Sequence, residues 1–477
     1  MNTNRIVHPG FWFGRSDIGE AVELAKAGVG GFCVYFGSKK EVKELTTLLQ
    51  DNAPRKLIIS SDYEYGLGRW VKDAPLLPSN ISIGASGNET LAYKKGLITA
   101  RQAKVLGVDW ILAPNVDLAD TPQNPIANTR SFGKDPCKVA KLAKAFALGL
   151  SEGGCLNSLK HFPGHGSTFV DSHLQLPVVN KTIQELEEHE LIPYQELLTR
   201  ADSIMVAHLK IPAFDDTWPC SFSRKVMHDY LRKHLHYKGI IVTDALIMKA
   251  TGGLDPLDAF KAGADILLCP DNPFELMARL KETVKESKLL TERAATALSE
   301  QEMMLAKLNS LTPLPFKDPF MPETLSEETA KTSIVACGQA PKLKRGQSVY
   351  YIEVESFCNC SLPPKTETFI AEMEKNHINL KPYKEGVFAD TLIISTTADY
   401  AAFSGQINFT KEQKDILQKA ISAAKRTILI SFGSPFVAQD LQNVDLFLMA
   451  GTASAPFQQE AARILLGQSE ANGQMQV

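Results

Sequence analysis

The 477-residue chain is 44% hydrophobic and 22% charged, with a formal net charge of −3, a balance that favours neither disorder nor a membrane class. So small a charge gives no general attraction to nucleic acid or anionic lipid, and neither is expected as a partner. Residues 1–14 lack the cationic stretch and apolar core of a secretory signal, and no apolar run reaches the roughly 18 residues that span a bilayer, so a cytoplasmic protein is expected.

In chain order, short apolar runs predict strands at residues 11–14, 31–36, 57–61, 110–113, 156–159, 203–206, 239–243 and 266–268. Helical periodicity lies between them, at 89–106, 138–153, 183–198 and 225–234. Strands alternating with helices imply a parallel sheet with crossover connections. Eight such units fit an N-terminal (β/α)8 TIM-like barrel over residues 1–308, its last helix at 292–308, with a doubly wound open sheet as the alternative. A proline-rich linker is expected at 309–325. Residues 326–477 alternate again, with strands at 333–337, 348–352, 391–395, 427–432 and 444–449 and helices at 411–424 and 457–466. That pattern predicts a smaller C-terminal α/β three-layer sandwich domain.

The eight cysteines are scattered, several of them inside apolar runs, and read as reduced core thiols. Cys358 and Cys360 stand too close for an ordinary disulfide and have no neighbouring ligands to complete a zinc site.

Ionisable residues follow the predicted strands repeatedly: Asp62, Asp117, the pair Lys160 and His161, His208, and Asp244. In a barrel the C-terminal strand ends share one face, so these residues would converge in one pocket. The densest stretch is 160–173, which holds one lysine, three histidines and Asp171. Ser172 lies between Asp171 and His173, but immediate neighbours cannot form a serine triad. His165 between two glycines suggests a tight turn rather than a metal ligand, and no Gly-Lys-Ser/Thr follows to make a phosphate loop. Carboxylate and histidine chemistry remains. In an extended loop, residues two apart project to the same side, so Asp171 would orient the His173 imidazole while Ser172 points away. A neighbouring carboxylate favours the imidazolium, which suits His173 to donate a proton to a leaving oxygen. A distant carboxylate such as Asp244 would then supply the nucleophile.

The segment Lys160-His161-Phe162-Pro163-Gly164-His165-Gly166, leading to Asp171-Ser172-His173, resembles family 3 glycoside hydrolases, within them the β-N-acetylglucosaminidase branch. The likeness extends through 61–64, 129–136, 206–208 and 242–248 and reaches 430–435, nearly the whole chain. It implies a retaining exo-β-N-acetylglucosaminidase acting on a small carbohydrate, with cell-wall fragments as natural substrates and no cofactor or metal. By position, Asp244 matches the nucleophile, His173 the acid/base and Asp171 its dyad partner. Asp62, Arg130, Lys160 and His161 match residues that hold sugar hydroxyls, while His208 and Met248 would line the pocket. Phosphorolysis by the same residues is the alternative, and a catalytically idle sugar-binding homologue is the second.

Two departures from the family pattern stand out. Ser167 occupies a usually acidic position, which predicts altered closure or tuning of its loop. Tyr65 replaces the first glycine of a usual pair, which predicts an aromatic ring at the pocket rim.

Overall fold

The computed structural model describes residues 1–313, 321–354, 365–400, 404 and 408–477. The first nine strands are β1 (Val7–His8), β2 (Gly10–Trp12), β3 (Gly31–Tyr35), β4 (Ile58–Ser61), β5 (Trp110–Ile111), β6 (Ser158–Phe162), β7 (Ser203–Val206), β8 (Ile240–Thr243) and β9 (Leu267–Leu268). All their pairings are parallel, in a four-stranded sheet β2-β3-β4-β5, a three-stranded sheet β6-β7-β8 and the pair β1-β9. The named strands thus form separate sheets rather than one continuous closed sheet. Single bridges, Trp110 to Leu156 and Val242 to Ile266, connect one sheet to the next.

Side chains alternate along each strand, so each sheet presents two apolar faces. One set, including Cys33, Ile58, Trp110, Met205, Val242 and Leu268, gathers into a single cluster drawn from β3, β4, β5, β7, β8 and β9. The other set, including Phe32, Ile59, Ile111, Leu159, Ile204 and Ile241, joins a larger cluster with helix residues such as Leu91, Phe146 and Phe260. Burial on both faces explains why these strands read as unbroken apolar runs.

Several expected elements differ in extent. The helix expected over 183–198 is two short ones, Ile183–Glu187 and Ile192–Leu197. Pro193 cannot donate within a helix interior, and it stands instead in the first turn of the second piece. The helix Lys225–His234 is a π-helix, and the Leu235 N–H just beyond it reaches five residues back, to the Tyr230 carbonyl. Strand β6 begins two residues later than expected and runs on to Phe162, so Lys160 and His161 lie within it rather than after it. The Lys160–His161 peptide inside it is cis.

The C-terminal part holds β10 (Val335–Gly338), β11 (Ser348–Val354), β12 (Asn379–Pro382), β13 (Leu392–Thr396), β14 (Thr427–Ser431) and β15 (Leu446–Met449). They form one sheet in the order β10-β15-β14-β13-β11-β12, parallel except for β10. Ile393, Ile428 and Leu448 pack with Phe369, Phe457 and Ala461, whereas Leu392, Leu429 and Phe447 pack with Leu417 and Ile421. The helix Pro322–Ser333 starts inside the expected linker, whose residues 314–320 lie outside the described residues, as do Cys358 and Cys360. Strand β12 was not foreseen: it is a polar edge strand ending in proline, which carries no apolar alternation.

Candidate active site

One pocket of about 470 Å3, counting its mouth, is lined by Asp62, Arg130, Lys160, His161, His173, Asp244 and Met248 together with Tyr35, His165 and Ser172. Asp62 follows β4, Lys160 and His161 lie in the C-terminal half of β6, and Asp244 follows β8, so parallel strands deliver them to one end of their sheets.

Lys160 is buried, and its Nζ donates to Asp62 Oδ1 at 2.6 Å and also pairs with Glu64. Glu64 in turn accepts two bonds from Arg130, Nε to Oε2 at 2.9 Å and Nη2 to Oε1 at 2.6 Å. Burial alone would raise the Glu64 pKa, but the adjacent Arg130 and Lys160 outweigh it and hold the carboxyl well below its usual range. Burial opposes the charge on Lys160 as well, and Asp62 and Glu64 reverse that, raising its pKa. The result is a compact, charge-compensated wall. Asp62 also accepts from the Tyr35 hydroxyl at 2.8 Å, which leaves its carboxylate fixed by two donors.

His161 is held from behind. Its Nδ1 lies 2.6 Å from Asp117 Oδ2, and its backbone N–H donates to Asp117 Oδ1 at 3.1 Å. The same Oδ1 accepts the His165 N–H at 2.7 Å. Burial opposes the Asp117 anion, yet His161 and His165 bring its pKa down to about 2. His165 itself is fully buried between Thr168 Oγ1 (2.7 Å) and Ser172 Oγ (3.0 Å), and burial pushes its pKa down to about 4. Gly166 lets this turn close, because a Cβ there would meet the Leu118 carbonyl oxygen at 2.2 Å.

Asp171 and His173 form the expected pair, with Nδ1 and Oδ1 2.7 Å apart. The local conformation is a turn rather than an extended loop. Asp171 Oδ1 also accepts the His173 N–H at 2.8 Å, and the Asp171 carbonyl accepts the N–H of Leu174 at 2.9 Å. Ser172 does not point away but lines the pocket.

Asp244 is half-buried. Burial would raise its pKa, but His161, His208 and His173, with the Ala245 N–H at 2.7 Å, lower it, so the carboxylate is ionised at neutral pH. His208 stands behind that loop rather than among the pocket-lining residues. Its Nε2 donates to the Ala245 carbonyl at 3.1 Å and its Nδ1 accepts from the Ser221 hydroxyl at 2.6 Å, and burial lowers its pKa. Among the described residues no group of three or more His, Cys, Asp or Glu side chains is arranged to hold a metal ion.

Tyr65 takes another position than expected. Tyr65 is buried away from the rim, its hydroxyl donating to Thr129 Oγ1 at 2.6 Å and its ring 4.9 Å from the Arg69 guanidinium. Ser167 donates to Glu190 Oε1 at 2.6 Å and accepts from Lys181 at 3.0 Å, so a carboxylate stands beside the loop after all, supplied by Glu190. The C-terminal part also reaches this region. Tyr400 places its ring 4.8 Å from the Arg130 guanidinium and 3.9 Å from that of Arg69, and Asp399 accepts from Arg69 Nη1 at 2.7 Å. Sequence reasoning passed over Tyr35, Glu64 and Tyr400 as site residues, and placed Asp117 after a strand without giving it a partner. Tyr35 ends β3, so the rule that found Asp62 and Asp244 would have found it had uncharged polar residues been counted.

Residues 14–300 match the family described as glycosyl hydrolase family 3 N terminal domain. The chain is 34% identical over 281 residues to a beta-hexosaminidase of Neisseria meningitidis serogroup C, covering 55% of this chain and 77% of that protein. It is 32% identical over 331 residues to beta-hexosaminidase A of Pseudoalteromonas piscicida, covering 62% of this chain but only 54% of that longer protein. Among solved structures, a family 3 beta-N-acetylglucosaminidase from a Paenibacillus species superposes with a TM-score of 0.86 at 25% identity, covering 100% of this chain and 98% of the other. A beta-glucoside phosphorylase shares the fold, with a TM-score of 0.90 at 23% identity, covering 100% and 93%.

Proposed function

The chain belongs to glycosyl hydrolase family 3, and from that premise we propose that it is a retaining exo-β-N-acetylglucosaminidase. One observation carries the reading: an ionised, half-buried Asp244 and an imidazole oriented by Asp171 line the same small pocket, together with a group of paired hydrogen-bonding side chains. A retaining glycosidase needs an anionic nucleophile and a proton donor at the leaving oxygen.

In the first step an Asp244 oxygen bonds to the anomeric carbon, the glycosidic C–O bond breaks, and His173 Nε2 gives its proton to the departing oxygen. In the second, His173 takes a proton from water, the water oxygen bonds to the same carbon, and the ester to Asp244 breaks. Asp171 keeps Nδ1 engaged, fixing the ring orientation through both steps. Asp62, Lys160, Arg130 and His161 hold the sugar hydroxyls, with Met248 beneath the ring. His208 keeps the Asp244 loop in place through the Ala245 carbonyl.

The separate parallel sheets are read as arcs of one (β/α)8 barrel over 1–308, supported by the bridges between them and by the single cluster drawn from six strands. Residues 326–477 are read as a three-layer sandwich domain after a linker at 309–325, on the two apolar clusters of its sheet. A reducing, cytoplasmic setting accords with the free thiols Cys33, Cys155 and Cys269. Cell-wall fragments are the natural substrates that the family likeness suggests.

Phosphorolysis is the second reading, because a neutral His173 does not repel an incoming phosphate as a carboxylate base would. Release of nitrophenol from the β-N-acetylglucosaminide, with and without phosphate, separates the readings. Hydrolysis is expected in both conditions, with Asp244→Asn slower by roughly 10³-fold or more, since it removes the nucleophile. Sugar 1-phosphate as the main product would establish phosphorolysis, and binding without turnover would establish an idle sugar-binding protein.

A further inference from the structure

Residues 131–135 belong to no helix or strand; they lie between the turn Asn128–Arg130 and the helix Pro136–Glu152. Their position is therefore set by individual bonds rather than by a regular ladder, and Arg130 stands at their edge.

Part of that support arrives from the far end of the chain. The Gly473 N–H donates to the Ile334 carbonyl beside β10, the Gln474 N–H to the Ala85 carbonyl in the helix Asn80–Ser86, and the Gln476 carbonyl accepts the Lys134 N–H, each at 2.9 Å. Between the last two, Met475 packs on the cluster that joins Ala85 to Val335 and Phe447. Gln476 is 7% exposed, so water competes little for its bond to Lys134. Glycine makes this approach possible. Gly133 has φ +143°, which an L side chain rarely adopts, and a Cβ there would stand 3.0 Å from Gln476 Cβ.

Both contacts lead to Arg130. From Lys134 the route is the chain itself, which is pinned on its other side: Ser131 Oγ accepts the Gly133 N–H at 3.1 Å and donates to the Asp117 carbonyl at 2.6 Å, and the Gly133 carbonyl accepts the Ala119 N–H at 2.9 Å. Asp117 is the carboxylate behind His161. From Ala85 the route is the helix Asn80–Ser86, whose Asn80 Nδ2 donates to the Arg130 carbonyl at 2.7 Å.

We propose that residues 473–476 position Arg130 for sugar binding, with Gln476 as the positioning residue that acts through Gly133 and Lys134. The proposal rests on the reading of Arg130 as a residue that holds sugar hydroxyls. It assigns this segment a part in substrate affinity rather than in bond breaking, because Asp244 and His173 are carried by the segments after β8 and β6.

The test removes Gln476 and Val477, which deletes the bond to Lys134 and keeps those of Gly473 and Gln474; removal of Val477 alone is the control. On nitrophenyl β-N-acetylglucosaminide the longer deletion is expected to raise KM about 3- to 10-fold, the scale of one net hydrogen bond, with kcat within about twofold of wild type. Loss of Val477 alone changes neither. In an Arg130→Lys background, which keeps a cation beside Glu64, the same deletion is expected to raise KM by less than about twofold, because the guanidinium it positions is gone. Thermal unfolding reports whether the shortened chain is folded. Should it not be, Gly133→Ala at full length forces Gln476 aside and is expected to raise KM in the same way, with and without Arg130→Lys. An unchanged KM, a fall in kcat as large as the rise in KM, or an equal rise in KM in both backgrounds would overturn the proposal while leaving the hydrolase reading intact. A wild-type protein that turns over no N-acetylglucosaminide would overturn that reading and this proposal with it.

Discussion

Asp171→Asn isolates what the carboxylate contributes to His173. The substitution keeps an oxygen 2.7 Å from Nδ1 and an acceptor for the His173 N–H, so the turn should survive and only the charge is removed. With the charge centres about 4 Å apart and an effective dielectric constant of ~20, an imidazolium and a carboxylate attract by about 4 kcal/mol. The Asp171 side chain is 2% exposed and that of His173 18%, so solvent weakens this modestly rather than cancelling it. His173 carries the proton before the first step and surrenders it to the leaving oxygen; it regains it in the second. Losing the carboxylate should therefore impair substrates whose departing oxygen must be protonated, by roughly 10²- to 10³-fold in kcat/KM. Activated aryl glycosides, whose leaving groups depart as anions, should lose less than about tenfold. The assay is a series of aryl β-N-acetylglucosaminides of graded leaving-group acidity, and the variant should show the steeper dependence. Parallel lines for the two proteins would refute the assignment of Asp171 and His173 as a proton-transferring pair.

Two further outcomes follow from the same geometry. Tyr400→Leu removes the ring packed on the Arg130 and Arg69 guanidiniums, so KM for N-acetylglucosaminides should rise several-fold with kcat less affected, consistent with a lost cation–π contact of about 1–2 kcal/mol; Tyr400→Phe should behave as wild type, and an equal effect of both would show that the hydroxyl rather than the ring matters. His165 is buried with its pKa lowered from 6.5 to about 4, so on acidification the unfolded chain takes up this proton first. Stability that is present above pH 6.5 is then lost as pH falls towards 4, by about 3 kcal/mol from this group, and urea unfolding of His165→Asn should lack that part of the pH dependence. An unchanged slope between pH 6.5 and 4 would place the titration elsewhere.

Much of the fold was legible because both faces of most strands are buried. Residues such as Ile240 and Ile241 go to opposite clusters, yet both are apolar, and an unbroken apolar run marks a strand however the sheets close. Legibility fails where burial is one-sided or polar. Asn379–Pro382 is mostly exposed at a sheet edge and left no pattern to read. The break between Glu187 and Ile192 was overlooked because Leu186 and Leu191 continue the apolar spacing on both sides of it, although Pro193 signalled it.

The site divides along the same line, with distance in sequence as the further obstacle. Asp171 and His173 are adjacent enough for spacing to suggest their contact. The run Lys160-His161 reads as the start of a loop because two ionisable residues do not normally continue a buried strand. They do so here because their partners arrive from elsewhere: Asp62 and Glu64 meet Lys160, and Asp117 meets His161. Each of those carboxylates lies 40 or more residues away in the chain, and no local pattern reveals them. Glu64 is held as a buried anion by Lys160 and Arg130, and in turn it compensates Arg130 and, with Asp62, Lys160. Such a group cannot be assembled one residue at a time. Its polar residues look misplaced when read singly, and it becomes physically reasonable only when three segments of the chain are brought together.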